Sequence, residues 1–173
     1  MRKLKLEELN RKTQEEFKLA PKSNIVVVLD NIRSAMNVGS FFRTADAFAL
    51  NKILLCGITA RPPHKEIQKT AIGADRSMDW EYFEHVEDAL SSLKKEKYTL
   101  IGLEQTDQSL FLQDYNAVKN EKYALVFGNE VMGLSDSILP LLDHCIEIPQ
   151  FGTKHSFNVA VSGGIALWHF MKD

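Results

Sequence analysis

Strand and helix patterns alternate along this chain, and the alternation restricts its fold more than any other feature. Residues 24–30, NIVVVLD, are a β-branched run typical of a strand buried on both faces. Residues 37–49 then repeat apolar side chains at helical spacing. Further strand patterns occur at 52–58, 98–104, 123–130 and 144–150, helical patterns at 86–97 and 156–173, and a short helix or loop at 64–73. We therefore predict an α/β fold in which a mostly parallel sheet carries helices on both faces.

The length and composition indicate one globular domain. At 173 residues the chain is close to the length of about 150 residues that is usual for one domain, and no repeat or linker divides it. It is 45% hydrophobic and 25% charged, which excludes a disordered or fibrous protein. Because there is no signal peptide and no apolar run of about 18–20 residues, we expect a cytoplasmic protein without a membrane span. Cys56 and Cys145 form no CxxC motif, so neither a disulfide framework nor a metal site is predicted.

The N-terminal segment differs in charge from the rest of the chain. The net charge of −2 argues against nucleic-acid binding by bulk electrostatics, but residues 1–22 are rich in lysine and arginine. We predict a basic helical extension over 1–22, followed by the main domain at 23–173. This extension is either a solvated amphipathic helix with Leu6, Leu9 and Phe17 packed on the body, or a surface that faces RNA. In the second case the RNA contacts are Arg2, Lys3, Lys5, Arg11 and Lys12.

Polar residues and glycines follow several predicted strands. They are Asp30-Asn31, Glu104-Gln105-Thr106, Gly128-Asn129-Glu130 and the stretch 149–152. Ligands of parallel α/β sheets bind beyond the carboxyl ends of the strands, so we expect the ligand site there. Turn formation alone also enriches these residue types.

Several well-known site motifs are missing from the sequence. No GxGxxG follows a strand, and GNEVMGLS has Leu134 where a phosphate loop needs its lysine. There is also no GxSxG and no HExxH. These observations disfavour an ATPase, a GTPase, a dinucleotide-dependent enzyme, and a hydrolytic or metal-dependent reaction.

Three segments carry a family resemblance. They are NVGSFFRTADA at 37–47, FGNEVMGLSD at 127–136 and IPQFGTKHSFNVAVSGGIAL at 148–167. In order, spacing and strand context they resemble motifs one, two and three of the SpoU/TrmH family of RNA ribose 2′-O-methyltransferases, within the SPOUT superfamily. IQKTAIGA at 67–74 resembles the segment that this family has between its first two motifs. The resemblance extends from about residue 24 to residue 172.

The resemblance implies a fold and an activity that periodicity does not predict. It implies that 23–173 is a SPOUT methyltransferase domain whose C-terminal part forms a deep trefoil knot, a feature nearly absent from other proteins. It also implies S-adenosylmethionine as cofactor and a homodimer whose sites draw on both subunits. The expected reaction is methyl transfer to a ribose 2′-hydroxyl of RNA, with tRNA as the first choice and rRNA next.

The resemblance also assigns individual residues. The catalytic positions are Asn37, Arg43, Glu130, Ser156 and Asn158. The cofactor positions are Leu103, Glu104, Gly128, Asn129, Ile148, Pro149, Gln150, Gly152 and Phe157.

Each catalytic position has a structural alternative. Arg43 lies off the apolar stripe and is either a solvated arginine or a cation that binds an RNA phosphate and stabilises a developing alkoxide. Asn37 and Ser156 occupy predicted N-cap positions, which would explain them without catalysis. Glu130 is either a solvated loop carboxylate or an ion-pair partner of Arg43 across the site or a dimer boundary.

Two other functions compete with the methyltransferase. A knotted protein without catalysis could bind RNA or assist ribosome assembly, and the complete catalytic set argues against it. A generic nucleotide-binding α/β enzyme is disfavoured by the missing glycine fingerprint and phosphate-binding lysine.

Overall fold

One parallel sheet organises the protein. The computed structural model describes residues 1–172, apart from the side chain of Leu6. Within these residues seven strands pair in parallel in the order β3-β2-β1-β6-β4-β7-β5. The strands are β1 Ile25–Asp30, β2 Lys52–Cys56, β3 Trp80–Phe83, β4 Thr99–Leu103, β5 Leu110–Phe111, β6 Tyr123–Phe127 and β7 His144–Glu147. The predicted α/β fold with a mostly parallel sheet is therefore confirmed.

Helices cover both faces of this sheet. They are α1 Gln14–Leu19, α2 Ala35–Ala47, α3 Lys65–Ala71, α4 Ala74–Ser77, α5 Val86–Lys95 and α6 Val159–Met171, and 3₁₀ turns occupy Leu6–Leu9, Leu112–Asp114 and Leu139–Leu141. Every residue of β1 is buried, because Val27 and Leu29 face one apolar core while Val26 and Val28 face the other. The core on the Val27 side is covered by α2, α3 and α6, and the opposite core is covered by α5.

Two of the observed strands were not predicted from the sequence. Strand β3 lies at the edge of the sheet and shows no continuous buried run. Strand β5 is only two residues long and lies at the other edge. Edge strands lack the two-sided burial that makes a strand pattern visible in a sequence.

Two predicted helix starts were wrong. Helix α2 begins after Ser34, whose hydroxyl accepts the backbone N–H of Asn37 at 3.3 Å, so Asn37 lies within the first turn and is not the cap. Helix α6 is capped by Asn158, whose side-chain oxygen accepts the backbone N–H groups of Ala160 and Val161. Ser156 precedes that cap by two residues and does not cap the helix.

The basic N-terminal segment is only partly helical. It contains the turn Leu6–Leu9 and the short helix α1, whose Phe17 is buried while Leu9 is half-buried. The predicted packing of Leu6 lies outside the described side chains. Arg2 forms an ion pair with Glu8 at 2.6 Å, whereas Lys3, Lys5, Arg11 and Lys12 are exposed. Among residues 1–172, no helix has the length and apolar character needed to cross a membrane.

Candidate active site

A cavity of about 470 Å³ opens beyond the carboxyl ends of β4, β6 and β7. Its walls are the loops that follow these strands and the segment that leads into α6. Of the predicted cofactor residues, the lining contains Leu103, Glu104, Gly128, Asn129, Ile148, Gln150 and Phe157. Glu130 and Ser156 also line it, whereas Pro149 and Gly152 do not belong to the described lining. Sequence reasoning missed several wall residues, among them Met132, Leu139 and Glu147.

The lining combines apolar side chains with carboxylates. Leu103, Ile148 and Phe157 supply apolar surface, and the acidic residues are Glu104, Glu130, Asp136 and Glu147. The described lining includes no lysine and no arginine. Such a cavity favours a ligand that is partly apolar and positively charged, because carboxylates attract a cation and repel a phosphate.

The loop after β6 is held in place by its own hydrogen bonds. The side-chain oxygen of Asn129 accepts the backbone N–H groups of Val131 and Met132. Backbone bonds in both directions join Asn129 to Gly133, and a Cβ atom at Gly128 would lie 2.3 Å from the Gly133 backbone, so only glycine fits there. Glu104 accepts the backbone N–H of Leu134 at 2.9 Å, which ties this loop to the end of β4.

A hydrogen-bond network joins the three family segments. The side-chain amide of Asn158 donates to the Asn37 oxygen at 3.1 Å, and the Asn37 amide donates to Glu130 Oε1 at 2.9 Å. The carboxylate of Glu130 also accepts the backbone N–H groups of Arg33 at 2.9 Å and Ser34 at 3.0 Å. These contacts connect the start of α2, the loop after β6 and the start of α6. Sequence reasoning missed Ser34, although a serine directly before an apolar helical stripe is a typical N-cap signal.

The network keeps Glu130 ionised. Burial alone would raise the pKa of Glu130, but hydrogen bonds from the Arg33 backbone, the Asn37 amide and the Ser34 backbone outweigh it and hold the pKa below its ordinary value of 4.5. Within residues 1–172 the carboxylate does not pair with Arg43. The predicted pair is therefore absent inside one chain, because backbone and amide donors occupy the carboxylate instead; a pair across a dimer boundary stays a prediction.

Arg43 points away from the core on α2. It is exposed, as its position off the apolar stripe predicts, while Phe42 and Ala45 are buried. It does not belong to the described cavity lining and makes no hydrogen bond or ion pair within residues 1–172. Its guanidinium is therefore available to a molecule outside this chain.

The chain is similar to several known proteins. The chain is 33% identical over 156 residues to "tRNA (guanosine(18)-2'-O)-methyltransferase TARBP1" of Mus musculus. The aligned region covers 87% of this chain and 10% of the relative. It is 32% identical to "tRNA (guanosine(18)-2'-O)-methyltransferase" of Saccharomyces cerevisiae, over 84% of this chain and 10% of the relative. The chain thus spans about a tenth of these two relatives.

A solved structure shows the same fold. It is described as "AdoMet bound rRNA methyltransferase from Sinorhizobium meliloti" and has a TM-score of 0.81 and 24% identity, over 90% of this chain and 59% of that chain. The model of the SpoU rRNA Methylase family matches residues 24–168, a range that contains all three segments. Since this match covers most of the chain, the protein belongs to the SpoU rRNA Methylase family.

Proposed function

We propose that this protein transfers a methyl group from S-adenosylmethionine to a ribose 2′-hydroxyl of RNA. The observation that carries the proposal is the Asn158–Asn37–Glu130 network, which joins the three family segments beside the cavity. In the reaction the bond from sulfur to the methyl carbon breaks, a bond from the 2′-oxygen to that carbon forms, and the hydroxyl proton is released. No metal and no covalent enzyme intermediate are required.

The cavity suits S-adenosylmethionine. When bound, this cofactor supplies an electrophilic methyl group on a positively charged sulfur. Leu103, Ile148 and Phe157 would surround its apolar part, and the carboxylates of the lining would stabilise its positive charges. An adenine dinucleotide or ATP fits the same wall poorly, because the described lining offers its phosphates no lysine and no arginine.

Arg43 acts on the RNA in this proposal. An arginine guanidinium has N–H donors and no acceptor, so Arg43 does not serve as a base; it stabilises the negative charge that develops on the 2′-oxygen and binds an RNA phosphate. Asn37 and Asn158 hold Glu130 and the start of α2 in a fixed arrangement around the target ribose. Rate enhancement then comes mainly from alignment and electrostatics.

Two copies of the chain complete the site. Arg43 lies outside the described lining of its own cavity, and α6 exposes Val161, Ile165 and Trp168 on one face. We expect these apolar side chains to contact a second copy, whose Arg43 would then approach this cavity. The trefoil knot, the domain limits 23–173, the RNA-binding role of residues 1–22 and the cytoplasmic location stay predictions.

The substrate class is tRNA in our proposal. Both relatives reported above carry tRNA in their names, and rRNA is the alternative because the Sinorhizobium meliloti protein is named for it. The test incubates the protein with radiolabelled S-adenosylmethionine and separate pools of unmodified tRNA and rRNA transcripts. Nuclease digestion then locates the label.

We expect label on 2′-O-methyl nucleotides of the tRNA pool. Label only in rRNA would contradict the substrate class and leave the reaction intact. Cofactor binding without label in either pool would favour the RNA-binding protein without catalysis. Binding of neither cofactor nor RNA would refute the proposal.

A further inference from the structure

An arginine–tyrosine stack lies outside the three family segments. The guanidinium carbon of Arg61 lies 4.1 Å from the centroid of the Tyr82 ring. The hydroxyl of Tyr82 donates to the carbonyl oxygen of Gly57 at 3.1 Å. The ring in β3 is thus attached to the loop that follows β2, and the exposed guanidinium of Arg61 lies over this ring.

This stack lies at the carboxyl ends of the strands, as the candidate site does. The loop after β2 donates the backbone N–H of Ile58 to the side-chain oxygen of Asn31 at 3.1 Å, and the Asn129 amide donates to the carbonyl of Asn31 at 2.8 Å. Asn31 therefore links the stack to the cavity wall. In the strand order, β3 and β2 carry the stack, β1 and β6 carry the Asn37–Glu130 contact, and β4 and β7 complete the cavity.

The chemistry of the stack favours an anionic polymer with aromatic rings. Arg61 forms no ion pair within residues 1–172, so its charge is not neutralised inside the described chain. A planar guanidinium binds phosphate through its N–H edge and stacks on aromatic rings through its face. Arg33 is also exposed and follows β1, the strand next to β2. Its positive charge adds to that of Arg61 at the carboxyl ends of these strands.

We propose that the Arg61–Tyr82 stack binds the RNA strand that flanks the methylated nucleotide. Arg61 contacts a backbone phosphate, and a base of that strand stacks on the guanidinium face that Tyr82 leaves uncovered. At the carboxyl ends of the strands, the cavity holds the cofactor beside β4 and β7, and the stack holds the RNA beside β2 and β3. This inference rests on the proposed function and assigns to it an RNA contact that the family segments and residues 1–22 do not include.

The test measures RNA affinity and turnover with the 173-residue chain. The probe is the transcript pool that the wild-type protein methylates, and its Kd is measured at several salt concentrations for Arg61→Ala, Arg61→Lys and Tyr82→Phe. The control is Arg76→Ala, because Arg76 is exposed, has no ion pair within residues 1–172, and precedes β3 at the amino-terminal ends of the strands, whereas the stack lies at their carboxyl ends.

We expect Arg61→Ala to weaken RNA binding about tenfold and to reduce the salt slope by about one. Arg61→Lys keeps the charge, so it should keep the slope and lose the stacking part of the affinity. Tyr82→Phe keeps the ring and should bind nearly as well as the wild type. In turnover, Arg61→Ala should raise KM for RNA with kcat and cofactor affinity unchanged, and Arg76→Ala should behave as the wild type.

Two results would overturn the inference, and they are distinguishable. If the wild type methylates RNA and Arg61→Ala binds that RNA as tightly as Arg76→Ala does, the stack serves another partner, such as a protein carboxylate, and the inference alone fails. If the wild type neither methylates nor binds RNA, the proposed function fails and the inference fails with it.

Discussion

Asn37 is the residue at which the parts of the site meet. Its side-chain oxygen accepts from Asn158, and its side-chain nitrogen donates to Glu130. Only an amide of this length supplies both an acceptor and a donor in this geometry, because a carboxylate has no N–H to donate. Asparagine at this position is therefore explained by the network, and a role as helix cap is not needed.

Arg43→Ala should nearly abolish turnover and leave cofactor binding intact. The side chain is exposed, and it does not belong to the described lining of the cavity, so its loss removes the RNA-side charge alone. Removal of one group that stabilises a developing negative charge costs about 10²–10³ in kcat. Methyl transfer is measured with radiolabelled cofactor, and cofactor affinity by calorimetry, with Arg76→Ala as control. Joint loss of both properties would contradict this division of roles.

Glu130→Gln should lower stability in a pH-dependent way. Because the pKa of Glu130 in the folded protein lies below 4.5, the carboxylate adds stability above that pH and loses it as the pH falls through the folded value. The variant should therefore be less stable than the wild type by about 1–3 kcal/mol at neutral pH, and the gap should narrow below pH 4.5. Urea unfolding over a pH series measures this gap. Glu84→Gln, at an exposed position, is the control; a gap that does not change with pH would refute the prediction.

At the scale of elements, the pair α2 and α6 decides where the site forms. Helix α6 buries Ala166 and Leu167 and contacts α2, while its cap Asn158 bonds to Asn37 in the first turn of α2. The contact between the two helices thus places the side chains of Asn37 and Asn158 within hydrogen-bond distance. Preorganisation of this kind is what a site that depends on alignment requires.

Two neighbouring glycines test the contact between α6 and α2. A Cβ atom at Gly163 would lie 2.3 Å from the Phe41 ring, which is itself buried, whereas a Cβ atom at Gly164 would meet no atom within 4 Å. Gly163→Ala should destabilise the fold by about 1–3 kcal/mol because it overpacks this contact. Gly164→Ala should stabilise it by up to about 1 kcal/mol because alanine favours a helix. Equal unfolding free energies of both variants in urea would show that the helices do not pack this closely in solution.

At the scale of the whole molecule, the exposed apolar face of α6 predicts that two copies of the chain associate. Val161, Ile165 and Trp168 recur at helical spacing, and Trp168 is 61% exposed. Contiguous apolar surface of this kind marks an interaction site on a folded protein. In the dimer that we propose, this surface is covered and Arg43 of one copy approaches the cavity of the other.

Trp168→Glu should therefore dissociate the dimer and reduce methyl transfer. A buried tryptophan at an interface contributes about 2 kcal/mol or more, so the dimer Kd should rise about 30-fold or more. Analytical ultracentrifugation measures the Kd. The control is Ile72→Glu, because Ile72 is equally apolar and 68% exposed but lies on α3's C-terminal cap. A monomeric wild type that methylates RNA would contradict the prediction.

Local sequence pattern determines much of the secondary structure of this protein. The β-branched run of β1 and the apolar stripe of α2 depend on neighbouring residues alone, so both elements and the α/β class follow from the sequence. The three family segments likewise identified most of the cavity wall. The chemical groups of these segments are set by their residue types, which are read directly from the sequence.

The tertiary structure alone decided which residues touch. Asn37 lies 93 residues from Glu130 and 121 residues from Asn158, and no periodicity encodes contacts over such separations. Glu130 bonds to the start of α2 instead of Arg43 because backbone donors lie within its reach once β1 and β6 are adjacent. Edge strand β3 and the Arg61–Tyr82 stack arise in the same way. Their stability depends on strand order, which is a property of the whole fold.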